Sequence, residues 1–203
     1  MLAGVAWSTI EGPAWRKFVG LGILGVLCFW QSYGMVFQKP PATRDWWVRG
    51  NCLQTSRSTC SAAAAATLLG LHGIAATEKE MAALCLTRKE GTTMLGLYRG
   101  LKIKTQGTGY EVKVVTGTAN ELHDMQVPVL VTVGIEIGQE VDPRYSALWG
   151  WPRGQMHSVV LFGWRPDGRA AVADPSTGWE EWTGQMVTDL YKGTGVCLVP
   201  RKG

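Results

Sequence analysis

The sequence predicts an α+β domain preceded by one membrane-spanning helix, and three observations lead to this assignment. An uncharged stretch runs from Phe18 to Phe37. Segments rich in helix-forming residues fill positions 60–101, and short β-branched runs follow from position 110 onwards. Because the helices come first and the strands later, we expect an antiparallel-type sheet and an α+β fold instead of an alternating α/β fold.

The composition limits the classes of function. The chain has 203 residues, which is room for one domain and a short additional segment. Charged residues make up 18%, below the roughly 25% of an average globular domain. The net charge of +4 is too small and scattered to indicate nucleic acid as a partner. The five cysteines form no C-x-x-C pair and no zinc-ligand spacing, so neither a metal nor another cofactor is expected.

The first element is predicted to be a single transmembrane anchor over residues 18–37, between a flank at 1–17 and a linker at 38–49. A helix of this length spans about 30 Å, the thickness of a bilayer's hydrocarbon core. The predicted location is thus a membrane crossed once, with the lipid bilayer as a partner. Gln31, Ser32 and four glycines weaken the span, so a re-entrant or interfacial helix stays open, as does a cleaved signal sequence. Basic residues flank both ends and leave the orientation undecided.

The helices and strands of the following domain, residues 50–203, can be placed in order. Alanine and leucine predict a helix over Cys60–Leu71, with Ser58 and Thr59 as N-cap residues. A capping-box pattern predicts a second helix over 77–86, and a third follows at 92–101. Strands are predicted at 110–115, 127–133, 158–164, 169–173 and 195–200, where β-branched runs are bounded by Gly, Pro and Asp.

Cys60 occupies a chemically significant position at the start of an alanine-rich helix. The partial positive charge at a helix N-terminus lowers the pKa of a thiol, and the thiolate is the nucleophilic form. Gln54 lies just upstream, and its amide could donate to an oxyanion together with the backbone N–H of Cys60. The simpler interpretations are that Cys60 is a buried structural cysteine and that Gln54 is a solvated loop residue.

His157 and Asp174 are predicted to meet at one end of a β-hairpin. The turn at 165–168 joins the strand that begins near His157 to the strand that ends at Asp174. Antiparallel pairing then brings both side chains to the same end of the sheet, as a base and its orienting carboxylate require. Asp-Pro is by default a turn signal, and a lone histidine at a strand start is more often structural.

The order Gln, Cys, His and Asp resembles the papain-like cysteine peptidases, and more narrowly the bacteriocin-processing peptidases of double-glycine leaders. The stretches that carry the resemblance are QTSRSTCSAAAAA at 54–66, GTTMLGLYRG at 91–100, HSVVLFG at 157–163 and DPSTG at 174–178. The chain departs from the family's usual residues beside the reacting positions. The family has an acidic residue before the cysteine, glycine after it and an aromatic residue after the histidine, where this chain has Thr59, Ser61 and Ser158.

The resemblance implies a papain-like fold in which a helical half carries Cys60 and the sheet carries His157 and Asp174. Cys60 would be the nucleophile, His157 the proton acceptor and donor, Asp174 the residue that orients the imidazole, and Gln54 an oxyanion donor. The implied activity is hydrolysis of a peptide bond in a peptide or precursor protein, such as a double-glycine leader. In this family the peptidase domain often precedes an ATPase within an exporter. This sequence has no G-x-x-x-x-G-K-[ST], so a separate export machinery is a predicted partner.

Two alternatives to a peptidase stay open at the level of sequence. The domain could keep the fold without catalysis and bind a leader peptide or partner protein at the membrane. Acyl transfer of the transglutaminase type uses similar residues, although the separation of Cys60 and His157 is long for that family.

Overall fold

The computed structural model describes residues 13–37, 39–125, 127–147 and 150–201. The chain divides into two compact units, Met1–Lys39 and Pro40–Gly203. Among the described residues, the first unit contains the helix α1 (Ala14–Phe37). The strands and the other helices that the structure describes belong to the second unit.

Helix α1 covers the stretch predicted to be a transmembrane anchor. Across the described ranges of the chain, however, no helix combines enough length with enough apolar character to cross a membrane. The predicted anchor over residues 18–37 is therefore not supported, although the prediction of a helix there is confirmed. Gln31, Ser32 and the glycines lower the mean hydropathy of this stretch.

The second unit begins with a small hairpin and three helices. Its first elements are β1 (Trp46–Val48), β2 (Asn51–Leu53), a 3₁₀ turn (Arg57–Thr59), α2 (Cys60–Leu71), α3 (Glu78–Leu84) and α4 (Met94–Lys104). The remaining elements are β3 (Tyr110–Thr116), α5 (Ala119–His123), β4 (Val129–Gly134), α6 (Arg144–Ala147), β5 (Met156–Trp164), β6 (Ala170–Asp174), β7 (Gly178–Trp182), α7 (Gly184–Leu190) and β8 (Tyr191–Pro200). Helices cluster before the sheet, which confirms the predicted α+β class.

Strands β3 to β8 form one six-stranded sheet in the order β3-β8-β4-β5-β6-β7, and every neighbouring pair is antiparallel. The last strand, β8, lies between β3 and β4. The predicted hairpin joins β5 to β6, and its turn is closed by the hydrogen bond from Gly168 N–H to Arg165 C=O at 3.0 Å. Gly168 has φ +77°, a conformation that side chains with a Cβ rarely adopt.

Each face of the sheet has its own hydrophobic core. Helix α2 packs on one face, where Ala62–Ala66 and Leu68 lie with Leu130, Val160 and Val196. Positions 60–69 of α2 are all buried, as expected for a helix that is apolar around its whole circumference. On the other face, α7 and the side chains of Trp151 and Trp182 cover a second core. The sheet is therefore covered on both sides, and α2 is fixed firmly against it.

The predicted strands and main helices agree with the structure to within a few residues, but several short elements were not predicted. These are β1, β2, α5, α6, β7 and α7. Strand β1 lies within the stretch 38–49 that was predicted to be a linker. It pairs with β2, with Trp47 opposite Cys52.

Gly96 allows helix α4 to approach the end of α3 closely. A Cβ at this position would lie 2.2 Å from the backbone oxygen of Cys85, so Gly96→Ala requires the two helices to separate. We expect a loss of about 2 kcal/mol in the free energy of unfolding, measured by urea denaturation. Gly184→Ala is the matched control, because a Cβ there meets nothing within 4 Å and the residue is also helical. A neutral Gly96→Ala would contradict this packing.

Candidate active site

Cys60 is the first residue of α2, as the sequence predicts. Only 6% of the residue is exposed. Thr59 occupies the N-cap position, but its hydroxyl donates to the Ser56 carbonyl at 2.9 Å and accepts from the Ser56 N–H at 3.0 Å. Thr59 is therefore the N-cap residue, as predicted, but its side chain forms no capping hydrogen bond because this hydroxyl closes the preceding turn. The thiol lies in the field of the N-terminus of a 12-residue helix.

His157 and Asp174 meet at the predicted end of the β5–β6 hairpin. Val160 and Ala173 are directly paired in the two strands, which places Asp174 next to the start of β5. His157 Nε2 lies 2.8 Å from Asp174 Oδ1, and the two side chains are 11% and 0% exposed. With Nε2 on the carboxylate, the other ring nitrogen of His157 is the one that can serve the Cys60 thiol, whose pKa the imidazole lowers.

The electrostatics of these three groups favour a charge-separated state. Burial alone would raise the pKa of the Cys60 thiol, but the hydrogen bond with His157, its positive charge, the Ser61 hydroxyl and the Ser158 backbone N–H together lower it. Burial would lower the pKa of His157, yet Asp174 and Cys60 raise it to about 10. The pKa of Asp174 is lowered against the effect of burial, chiefly by His157 and Ser176.

The directions of these shifts favour a thiolate, an imidazolium and a carboxylate beside one another. A thiolate beside an imidazolium at a helix N-terminus is the activated form of a cysteine nucleophile. Four other cysteines provide a contrast. Cys28 is exposed in α1, and burial raises the pKa of the Cys52 and Cys85 thiols to about 12 and also raises that of Cys197.

Gln54 lies beside this cluster, on the segment between β2 and the 3₁₀ turn. Its backbone N–H donates to the Pro175 carbonyl at 2.8 Å, which ties it to the loop after Asp174. Within the described residues, its buried Oε1 has no hydrogen-bond partner. The side-chain amide is therefore free to turn either its oxygen or its NH₂ group into the adjoining cavity.

A buried polar network that the sequence analysis missed connects α2 to the aspartate. Asn51 Nδ2 donates to the Asp174 carbonyl at 2.9 Å, and Thr67 of α2 donates to Asn51 Oδ1 at 3.2 Å. Ser176 donates to Asp174 Oδ1 through both its N–H, at 2.6 Å, and its hydroxyl, at 2.7 Å. The Asp-Pro-Ser turn could have indicated Ser176. Asn51 and Asp174 are 123 positions apart, so no local pattern could have paired them.

Trp151 shields the ion pair and was also missed. Its ring centroid lies 4.9 Å from that of His157, and Trp182 packs behind it at 5.8 Å in a T-shaped arrangement. Trp151 is only 5% exposed. Excluding water in this way strengthens the interaction of His157 with Asp174.

Two adjoining cavities lie on either side of His157. The larger, of about 470 Å³, is lined by Cys60, Ser61, Ser158 and the apolar side chains of Met94 and Leu97, among others. The smaller, of about 210 Å³, is lined by Gln54, Trp151 and Ser176. Arg57, Gln155, Met156 and His157 line both cavities. An extended chain passing the thiol would occupy both.

Residues 50–139 match the model of the Peptidase C39 family. The matched range contains Gln54 and Cys60 and ends before His157 and Asp174. A search of curated proteins finds no match.

Three solved structures share the fold. The peptidase domain of Streptococcus ComA, a bifunctional ABC transporter of quorum sensing, is 19% identical, with a TM-score of 0.55 over 73% of this chain and 96% of that domain. A double-glycine-motif protease from an AMS/PCAT transporter, solved with its leader peptide, is 16% identical, with a TM-score of 0.57 over 82% and 97%. The N-terminal peptidase C39-like domain of a Vibrio parahaemolyticus toxin secretion ATP-binding protein is 10% identical, with a TM-score of 0.50 over 72% and 99%.

The second unit is thus an α+β domain with one antiparallel sheet. More narrowly, the chain has the peptidase C39 fold, and the predicted resemblance to the bacteriocin-processing peptidases is confirmed.

The ion pair makes a specific prediction about stability and pH. Between the lowered pKa of the Cys60 thiol and the raised pKa of His157, about 10, the folded pair holds one proton, on His157. Between pH 6.5 and 9 the unfolded pair also holds one proton, on the thiol, whose unperturbed pKa is 9.0, whereas histidine is neutral above 6.5. Folding then exchanges no protons, so the contribution of the pair to stability is flat in this range.

Above pH 9 the unfolded thiol loses its proton, while the folded imidazolium keeps its proton up to about pH 10. The contribution of the pair therefore decreases as pH rises through this window. The measurement is the free energy of unfolding from urea titrations at pH 6.5–10.5, taken as the difference between the wild-type chain and the C60A/H157Q variant. If this difference in the free energy of unfolding instead decreased steadily from pH 6.5, the folded thiol would have kept its proton.

Proposed function

We propose that this chain is a cysteine peptidase that hydrolyses a peptide bond in a peptide or precursor protein. The observation that carries the proposal is the buried alignment of Cys60, His157 and Asp174 at the N-terminus of α2, with His157 Nε2 only 2.8 Å from Asp174 Oδ1. A structural histidine needs no thiol with a lowered pKa beside it. A structural cysteine in an apolar core has a raised pKa, as Cys85 does.

The proposed reaction begins when the Cys60 thiolate attacks the carbonyl carbon of the scissile bond and forms a C–S bond. The carbonyl oxygen becomes an oxyanion, which the Cys60 backbone N–H and the Gln54 amide stabilise. His157 then gives its proton to the leaving nitrogen as the C–N bond breaks. Water attacks the acyl-enzyme, His157 accepts one proton from it, and the thiolate is released.

The proposed substrate carries a leader of the double-glycine type. The AMS/PCAT neighbour is described as a double-glycine-motif protease and was solved with a leader peptide. The two cavities beside His157 offer space on both sides of the scissile bond, and Met94, Leu97 and Met156 supply apolar contacts. A separate export machinery is the proposed partner, since the neighbours come from transporters. Location at a membrane remains a prediction from the sequence.

The activity is tested by incubating the full-length chain with synthetic peptides and identifying the products by mass spectrometry. A peptide with Gly-Gly before the cleavage position should be cut after the second glycine, whereas the same peptide with Val-Val should not. Cys60→Ala should abolish cleavage, and Cys28→Ala is the matched control because that thiol is exposed and lies outside the site. Binding without cleavage during long incubation would favour a non-catalytic module. Products joined to an added amine would indicate acyl transfer.

Gln54 provides a second test of the mechanism. Gln54→Ala should lower kcat by about 10²–10³-fold, the usual consequence of removing one oxyanion donor, with little change in KM. The free energy of unfolding should hardly change, because the hydrogen bond to Pro175 uses the backbone of Gln54. A variant with wild-type kcat would remove Gln54 from the proposed mechanism.

A further inference from the structure

Two serines follow the reacting residues directly in the sequence, Ser61 after Cys60 and Ser158 after His157. At these positions the family has glycine and an aromatic residue, so both are departures from its pattern. The two departures meet in space. Their hydroxyl oxygens are 2.8 Å apart although the residues are separated by 97 positions, and each residue is only 6% exposed.

The serine pair also reaches the sulfur atom. Ser61 Oγ lies 4.0 Å from Cys60 Sγ, within the longer range of hydrogen bonds to sulfur. The Ser158 backbone N–H also lowers the pKa of the same thiol. Helix α2 and strand β5 therefore both contact the thiol through residues next to it in sequence or in space, and the serine hydroxyls join these two elements.

We propose that the Ser61–Ser158 pair is a positioning device for the Cys60 thiolate. The Ser158 hydroxyl donates to Ser61 Oγ, and the Ser61 hydroxyl donates to the sulfur. The same bridge fixes the Ser158 backbone N–H against the sulfur. This inference rests on the proposed peptidase function, because it assigns the pair a task in preparing that nucleophile.

The direction of donation follows from the charges. A thiolate accepts hydrogen bonds and donates none, so the hydroxyl nearer to it is oriented by the negative charge. Ser61 then has its oxygen free to accept from Ser158. Hydrogen bonds to a charged group are stronger than those between neutral groups, and burial increases the difference. A purely structural bridge between two neutral hydroxyls would stabilise the fold without affecting the thiol.

The pKa of the Cys60 thiol can be measured from the pH dependence of its alkylation by iodoacetamide, using the full-length chain with Cys28→Ala. The pKa values of the Cys52, Cys85 and Cys197 thiols are raised by burial, so these thiols are expected to react slowly. Ser61→Ala should raise the apparent pKa of Cys60 by about one unit and lower kcat/KM at neutral pH roughly tenfold. Ser158→Ala should have a smaller effect in the same direction, and Ser158→Thr, which keeps the hydroxyl, should restore the wild-type value.

Thr105→Ala is the control for losing a buried hydroxyl. Its hydroxyl donates to the Leu101 carbonyl at 2.9 Å at the end of α4, and it lines neither of the two cavities beside His157. This variant should lose stability and leave the alkylation pKa unchanged. If a single serine variant does not fold, S61A/S158A removes both hydroxyls together and leaves neither unpaired.

The outcomes separate this inference from the proposed function. A low alkylation pKa in the parent chain that is unchanged in Ser61→Ala and in S61A/S158A would overturn the positioning role and leave the peptidase proposal intact. An ordinary thiol pKa in the parent chain would overturn both. The positioning role would be supported if Ser61→Ala raises the apparent pKa of Cys60, and if Ser158→Thr keeps the wild-type pKa while Ser158→Ala raises it.

Discussion

The buried charge cluster at the start of α2 is the constraint on which the rest of this structure depends. A carboxylate, an imidazole and a thiol lie together where almost no water reaches, and unpaired charges in such a place are strongly destabilising. Each group is therefore given partners by a different element. Asp174 has His157 and Ser176, and its backbone carbonyl is held by Asn51, which in turn binds α2 through Thr67. The same contacts that satisfy the charges also set the distance between the helix and the sheet.

The short β1–β2 hairpin has more importance than its size suggests. It carries Asn51, and the chain continues from it directly to Gln54, whose N–H is bound to Pro175. The next residue, Thr55, donates both its N–H and its hydroxyl to the fully buried carboxylate of Glu78, each at 2.6 Å. Consequently the oxyanion donor proposed here and the loop that follows the aspartate are parts of one hydrogen-bonded assembly.

Local patterns were sufficient for much of the fold and for the identities of the clustered residues. The alanine-rich run predicted the helix at 60–71 correctly because helix propensity and the need to bury apolar residues both favour a helix there. The turn at 165–168 predicted the hairpin that brings His157 to Asp174. The features that the sequence analysis missed depend on contacts between residues far apart in the sequence. Trp151 belongs to no helix or strand and its aromatic partners lie in other elements, and the Ser61–Ser158 contact joins residues far apart in sequence. The transmembrane prediction rested on the length and the absence of charge of residues 18–37, whereas no helix in the described residues meets the length and hydropathy of a membrane span.

The position of β8 inside the sheet affects how the protein can be made. Strand β3 has β8 as its sheet partner, and β4 pairs with it on the other side, so neither is fully paired until residues 191–200 have been synthesised. Tyr110 pairs with Pro200, a separation that slows folding because a long loop must close before the contact forms. While the chain is still on the ribosome, the helices and the β5–β6–β7 meander can form early, but the sheet beneath α2 is incomplete. The sheet against which α2 packs is therefore completed only after residues 191–200 have been synthesised.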